Sequence, residues 1–195
     1  MESNKSTKKF GKLIIISGPS GAGKTTLIRS LMDRIPTLAF SISATTRPMR
    51  KGEMEGVDYF FISTRKFNEL IKNNAFIEWA KVHGNLYGTL KENVEKLREE
   101  RKNVILDIDE QGASQVRKKK IPALLIYILP PSFKELEKRL KARNTELKKD
   151  MSTRLEYAKE QILLKGLYDH VIINDDMKRA VIKLRAIIYK FIKNR

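Results

Sequence analysis

Leu13-Ile14-Ile15-Ile16-Ser17-Gly18-Pro19-Ser20-Gly21-Ala22-Gly23-Lys24-Thr25 joins an apolar run of strand length to a glycine-rich turn and then to a segment of helical period, Lys24 to Arg34. Gly18 to Thr25 is a full G-x-x-x-x-G-K-[ST] match, and it has the flanking strand and helix that the pattern needs. The glycines let the backbone turn its N–H groups inward around phosphate oxygens, and the helix N-terminus adds its partial positive charge. In such a loop Lys24 reaches the β and γ phosphates and Thr25 holds Mg²⁺. The stretch therefore predicts a nucleoside triphosphate site on an α/β fold.

Outward from this loop the same alternation recurs. Val104 to Asp109 precedes Gln111 to Lys119, and Ala123 to Leu129 precedes Ser132 to Arg143. Near-continuous Ile/Val/Leu strands are buried on both faces, which predicts a mostly parallel sheet flanked by helices. Leu38 to Ser43 and Val171 to Asn174 are expected to be further strands of that sheet. Thr89 with Glu92, and Ser132 with Glu135, fit the capping box of a helix start. Between about Thr45 and Leu90 short segments such as Tyr59 to Ile62 and Phe76 to Val82, punctuated by Gly52, Gly56, Gly84 and Gly88, predict an inserted, mainly antiparallel subdomain. Asn144 to Asp150 is a polar interruption between helical segments and reads as a lid or as a plain surface loop. Met177 to Arg195 has Val181, Leu184, Ile188 and Phe191 at helical spacing and predicts an amphipathic closing helix, with membrane-surface binding the lesser alternative.

Composition bounds the function classes. Of the 195 residues 41% are apolar and 8% aromatic, which is globular, and the length suits one domain. The absence of cysteine excludes disulfides, thiolate metal sites and cysteine nucleophiles, and two histidines are too few for a histidine-rich metal site. No run reaches the length needed to span a bilayer and no secretory apolar core follows Met1 to Lys12, so a cytoplasmic protein is expected. The net charge of +17 could mark a nucleic-acid binder, but the lysines are dispersed and no basic and aromatic residues interleave. A positive field suits phosphate-rich small substrates as well.

Asp107 and Asp109 end the apolar run Val104-Ile105-Leu106, two apart and so on one face if the strand persists. At the carboxyl end of a parallel strand they can face phosphates, Mg²⁺ or a second substrate, while Asp109 could equally cap the next helix. Arg47 and Arg50 stand three apart in a proline-containing loop, where a guanidinium can fork onto a phosphate or simply be solvated. Tyr59, Glu78 and Tyr87 are single polar groups in apolar, strand-like context, each of which could be an ordinary boundary residue.

Taken in order, the phosphate loop, Ser41-Ile42-Ser43-Ala44-Thr45-Thr46-Arg47-Pro48-Met49-Arg50-Lys51-Gly52-Glu53, Gly56-Val57-Asp58-Tyr59-Phe60-Phe61, Gly84-Asn85-Leu86-Tyr87-Gly88, Leu106-Asp107-Ile108-Asp109-Glu110-Gln111-Gly112 and Ile173-Asn174-Asp175-Asp176 resemble guanylate kinase over nearly the whole chain. The resemblance implies one domain with the fold of nucleoside monophosphate kinases: a core of about residues 10–44, 90–139 and 165–195, a GMP-binding insert of about 45–89 and a helical lid of about 140–164. It implies transfer of the γ-phosphoryl of ATP to GMP with Mg²⁺, in purine nucleotide metabolism. ATP and GMP are then the partners, with dGMP a further acceptor left open, and nucleic acid and membrane are not. Carried over by position, Gly18, Pro19, Ser20, Gly21, Ala22, Gly23, Lys24 and Thr25 bind ATP, Asn174 and Asp175 match its adenine-side contacts, and Thr25 is the metal ligand. Arg47, Arg50, Tyr59 and Tyr87 match the grip on the GMP phosphate, with Glu53 on the same side. Ser43, Glu78 and Thr89 match the guanine side, with Asp107 and Asp109 nearby. Lys24, Arg50, Arg143 and Arg154 are the catalytic set implied, with Arg139 behind them. The family's lid is often acid-rich, whereas this one reads Asn144-Thr145-Glu146-Leu147-Lys148-Lys149-Asp150.

Three other readings share parts of this sequence. An inactive guanylate-kinase-like binding module is opposed by the intact Gly23-Lys24-Thr25. A nucleic-acid binder would need a dense basic face. A kinase for another monophosphate is separated by Ser43 and Glu78, because a carboxylate accepts from guanine N1–H and the 2-amino group while adenine has no such donor pair.

Overall fold

The computed structural model describes residues 10–82, 84–142 and 163–194. Its centre is a five-stranded sheet in the order β2-β7-β1-β8-β9. The strands are β1 Leu13–Ser17, β2 Leu38–Phe40, β7 Asn103–Asp107, β8 Leu124–Leu129 and β9 His170–Ile173, and every pairing among them is parallel. The all-apolar strands are explained by what covers them. Ile14 and Ile16 of β1 pack with Leu27 and Leu31 of α1, Lys24–Met32, and with Leu184 and Ile188 of α6, Met177–Lys193. Leu13 and Ile15 point the other way, to Val94 of α3, Lys91–Glu99, and Val116 of α4, Glu110–Lys118. Burial on both faces removes the polar alternation of a half-exposed strand. α5, Phe133–Ala142, follows β8, and its start is capped by Ser132, whose Oγ accepts from the N–H of Glu135 at 3.1 Å. Lys12 ties the entry to β1 to the end of α6 by donating to the carbonyls of Phe191 and Asn194.

A second sheet of four strands has the order β4-β3-β6-β5, with β3 Ala44–Thr45, β4 Phe60–Phe61, β5 Phe76–Val82 and β6 Asn85–Leu90. β6 pairs antiparallel with both β3 and β5, while β3 and β4 run parallel. A helix not foreseen in the sequence, α2 at Thr64–Lys72, covers it: Phe67 stacks on Phe76 with ring centroids 4.5 Å apart. The Ser63 hydroxyl that caps α2 accepts from the N–H of Lys66.

Two sequence expectations are corrected. Leu38 to Ser43 is not one strand: β2 stops at Phe40, the N–H of Ser41 still donates to Ile105 O at 3.0 Å, and the chain then leaves to found the second sheet at Ala44. Thr89 is not a helix cap. It is the penultimate residue of β6, α3 starts after Leu90 with no side-chain cap, and the Thr89 hydroxyl has another partner described below.

Between β5 and β6 the register shifts, so that Phe76 faces Leu90 and Glu78 faces Thr89. Such a bulge inserts one residue and re-aims its neighbours. Phe76, Ile77 and Glu78 are consequently all buried, Phe76 in the core of the second sheet and Ile77 in the core beneath the parallel sheet. No helix among the described residues is long and apolar enough to cross a membrane. The expected lid falls largely on residues 143–162, outside the described ones.

Leu184 is fully buried while Ile182, on the same helix, is 60% exposed. Leu184→Ala should cost about 2–5 kcal/mol of unfolding free energy, and Ile182→Ala should stay within about 0.5 kcal/mol. Urea denaturation of both variants checks this.

Candidate active site

The two sheets share one cleft of about 610 Å³. The glycine-rich loop and the first turn of α1 form one side of it, and Glu78 and Tyr87 of the second sheet, with Tyr59 just before β4, form the other.

The loop leaves β1 at the carboxyl end of the parallel sheet, where ligands of open α/β sheets gather. Its shape depends on two glycines. At Gly18 φ is +142° and an added Cβ would lie 2.2 Å from the carbonyl oxygen of Ile128. At Gly23, the residue before α1, φ is +90° and a Cβ would lie 2.3 Å from Asn174 Nδ2. No side chain caps α1 and its first turn carries no acid, so its N–H groups and dipole are left for an anion. The N–H of Ala22 donates to Pro19 O at 3.1 Å, and Lys24 Nζ donates to Gly18 O at 2.6 Å and Pro19 O at 3.3 Å, which holds the ammonium over the loop. Ser20, Gly21 and Thr25 line the cleft.

Asn174 lies beneath the loop rather than in the cleft. It is 6% exposed, and its Nδ2 donates to Ala22 O at 2.8 Å. Asp175 pairs with Arg179 at 3.1 Å, and neither residue lines the cleft. The Arg139 guanidinium approaches the backbone of Asn174, donating to its carbonyl at 3.4 Å, and pairs with Glu135 at 2.9 Å. Arg143 and Arg154 lie outside the described residues.

Asp107 ends β7 opposite Ile16, and both it and Asp109 line the cleft. Burial pushes the Asp107 carboxyl up, opposed by the positive charge of Lys24. The strand does not persist to Asp109. That residue caps α4, accepting from the N–H of Gly112 at 2.9 Å, and burial pushes its carboxyl up too. It is at once the capping aspartate and a wall of the cleft.

On the opposite side Glu78 is 3% exposed, delivered there by the β5 bulge. Thr89 Oγ1 donates to Glu78 Oε1 at 2.5 Å. Burial pushes the Glu78 carboxyl up to about 7, with the Thr89 hydrogen bond acting against it and the charge of Asp109 adding to it. Ser43 lines the same wall, and its carbonyl accepts from the N–H of Phe60 at 2.9 Å. Next to these, Glu53 closes the 47–53 loop: Oε1 takes the Arg47 guanidinium at 2.8 Å and Oε2 the N–H of Arg50 at 2.8 Å. The Arg47 guanidinium also lies 5.4 Å from the ring centroid of Tyr59, which in turn packs edge-on against Tyr87 at 5.9 Å. The Arg47 hydrogen bond holds the Glu53 carboxyl below the usual carboxylate range.

Sequence reasoning gave no role to three features. Arg29 of α1 faces Asp58 of the second-sheet region at 3.8 Å, an exposed pair of small energetic weight. Gly112 and Gln115 of α4 sit against β5. A Cβ at Gly112 would come 2.3 Å from Glu78 Oε2, and the Gln115 amide pairs with the backbone of Trp79. A glycine inside a helical pattern was the available signal at position 112, because its helix cost asks for a packing reason.

The arrangement is an anion cradle at one end and a buried carboxylate with a hydroxyl at the other, with two further carboxyls between. Comparison with known proteins gives the family. The family model for guanylate kinase matches residues 10–191. A guanylate kinase of Caldanaerobacter subterraneus is 49% identical over 94% of this chain and 89% of its own length. One from Syntrophotalea carbinolica is 46% identical over 93% of this chain and 86% of its own. The crystal structure of guanylate kinase from Anaplasma phagocytophilum superposes with a TM-score of 0.77 at 31% identity, covering 96% of this chain and 89% of that one. With a family model spanning nearly all of its length and relatives of this closeness, the chain belongs to the guanylate kinase family.

Proposed function

We propose that the protein transfers the γ-phosphoryl of ATP to GMP, giving ADP and GDP, with the donor phosphates in the loop of Gly18 to Thr25 and the guanine at Glu78. The observation that carries this reading is the pairing, in one cleft, of a phosphate loop with a carboxylate that is 3% exposed and tied to a hydroxyl. A carboxylate so deeply buried is costly unless a ligand brings hydrogen-bond donors to it. Guanine brings two, N1–H and the 2-amino group, and adenine lacks that pair.

The donor set suits a hard divalent cation. The Thr25 hydroxyl and the Asp107 carboxylate line the same cleft as Lys24, and oxygen ligands completed by phosphate oxygens are what Mg²⁺ takes. Mg²⁺ bound there with ATP would neutralise phosphate charge. The rest falls to the chain. Lys24 and the loop N–H groups position the donor, Arg47, Arg50, Tyr59 and Tyr87 the acceptor phosphate, and Ser43, Glu78 and Thr89 the base. Glu53 serves by holding the 47–53 loop closed. Asn174 supports this from below, through its bond to Ala22 O. Arg143 and Arg154 are assigned to charge on the transferring group by resemblance alone. Little covalent work is needed, because positioning two polyanions in line and neutralising their charge supplies most of the acceleration.

Base reading should show as selectivity. AMP leaves the carboxylate desolvated and unpaired, so GMP should be preferred over AMP by about 10⁴-fold or more in kcat/KM, with IMP, which keeps N1–H only, between them. Glu78→Gln should lose most of that preference. A coupled ADP-release assay with the three acceptors decides it, and a GMP-to-AMP ratio unchanged in the variant contradicts the assignment.

The same carboxyl has a stability signature. Between its ordinary 4.5 and about 7 the folded state holds a proton that the unfolded chain has lost, so stability falls as pH rises through that window. Glu78→Gln removes this loss and should stabilise the ligand-free protein above pH 7 by an amount on the order of 3 kcal/mol. The gap should close as pH falls to 4.5. Thermal unfolding of both proteins across this range checks the sign, and a gap independent of pH contradicts it.

A further inference from the structure

Glu78 sits on the second sheet, while helix α4 belongs to the parallel-sheet layer, and the two meet over three consecutive residues of β5. The carbonyl of Ile77 accepts from Lys119 Nζ at 2.6 Å. The carboxylate of Glu78 lies over Gly112, where an added Cβ would meet Oε2 at 2.3 Å and Cδ at 2.9 Å. The backbone of Trp79 is paired at both its groups by one side chain: its N–H donates to Gln115 Oε1 at 3.2 Å, and its carbonyl accepts from Gln115 Nε2 at 2.5 Å. Gly112, Gln115 and Lys119 are spaced by three and four, so they form one stripe of the helix. The first turn of that helix is itself fixed by Asp109, whose carboxylate accepts the Gly112 N–H.

An amide side chain that offers one acceptor and one donor to the two groups of a single residue replaces a neighbouring strand at that residue. β5 has β6 on one side only, since it ends the order β4-β3-β6-β5. Its other side is the one that Gln115 pairs. The bulge between Phe76 and Glu78 weakens the β6 side at just this place, so the height of Glu78 above the cleft depends on the helix as well as on the sheet. Glycine at 112 is also out of keeping with the middle of a helix, where it costs stability relative to alanine. The approach of Glu78 explains it.

We infer that the Gly112–Gln115 stripe of α4 is a positioning device for base choice: Gln115 fixes the β5 backbone on one side of Glu78, and Gly112 leaves room for the carboxylate to lie against the helix. The inference rests on Glu78 being the reader of guanine. Neither residue touches the nucleotide in this account, and each acts through Glu78. Displacing a positioned group by about 1 Å is enough to lose on the order of 10²-fold in efficiency, so small changes here have a large readout.

Two variants test it. Gly112→Ala adds one methyl where Glu78 Oε2 lies, and it favours the helix. Gln115→Met keeps length and volume but removes both backbone bonds. For each, KM for GMP should rise about tenfold or more with KM for ATP within about twofold, and the GMP-to-AMP ratio should fall. In the Glu78→Ala background the same substitutions should add less than about twofold to the GMP constant, because the side chain they position is gone. Thermal midpoints identify a variant that fails to fold, and the other variant then carries the cycle. Equal losses in both backgrounds, or losses shared by ATP and GMP, make the stripe structural only and overturn the inference. So does an unchanged GMP constant in Gln115→Met. If wild type itself shows no preference for GMP over AMP, the function proposed above fails and this inference falls with it; if wild type is selective and the variants match it, only the inference fails.

Discussion

A carboxylate removed from water is the constraint to which this molecule is fitted. Glu78 carries a group whose ionisation is opposed by burial, and the structure answers with one short bond from Thr89 and with the close approach of α4. Each answer constrains another element. Thr89 is drawn into β6 rather than serving as a cap, α4 must carry glycine at 112, and β5 must bulge so that Glu78 turns inward while Ile77 joins the core of the other layer. A protein optimised for stability alone would place an apolar residue there. The cost is understandable at a recognition site, where a buried polar group discriminates strongly between ligands that do and do not pair with it.

The other end of the cleft follows a complementary logic. Around the glycine-rich loop the chain leaves donors open: a helix start with no side-chain cap, and Lys24 held by two loop carbonyls. The tolerances are tight. Gly18 passes against Ile128 of the neighbouring strand, and Gly23 passes against Asn174, which pins Ala22 from below. The phosphate loop is thus supported by the strand and the strand end that succeed it across the sheet, β8 and the residue after β9. The parallel sheet therefore acts as the frame that keeps the cradle rigid, while the second sheet brings the opposite wall to it.

What the sequence revealed divides along physical lines. The phosphate loop and the βα alternation were legible because they depend on local pattern: a glycine spacing, a run of aliphatic residues, a period of 3.6. Glu78 was visible as a lone carboxylate in an apolar strand, and Asp107 and Asp109 as acids at a strand end. The turn-off after Phe40 was not legible, because Ser41 keeps a ladder bond and nothing in Leu38 to Ser43 marks where pairing partners change. The bulge was hidden for the same reason, since period-two reasoning assumes a constant register. Thr89 with Glu92 matched a capping box in pattern, but a hydroxyl near a buried carboxylate is worth more there than at a helix start. α2 had signals, Ser63 before it and Phe67, Leu70 and Ile71 along it, yet nine residues between short strands offer a weak period. Gln115 could not be found from sequence at all, because its partner is backbone.

If Glu78 reads guanine, its carboxyl, raised by burial to about 7 in the empty cleft, must fall when guanine supplies its hydrogen-bond donors. Titration of ¹³C-labelled glutamate carboxyls by NMR, with the Glu78 resonance assigned by its loss in Glu78→Gln, measures this directly. The account predicts a midpoint near 7 in the free protein and a clear fall on saturation with GMP, as hydrogen bonding to the charged form requires, with no such fall on adding AMP. A free-state midpoint in the ordinary glutamate range, or one that GMP does not move, would contradict it.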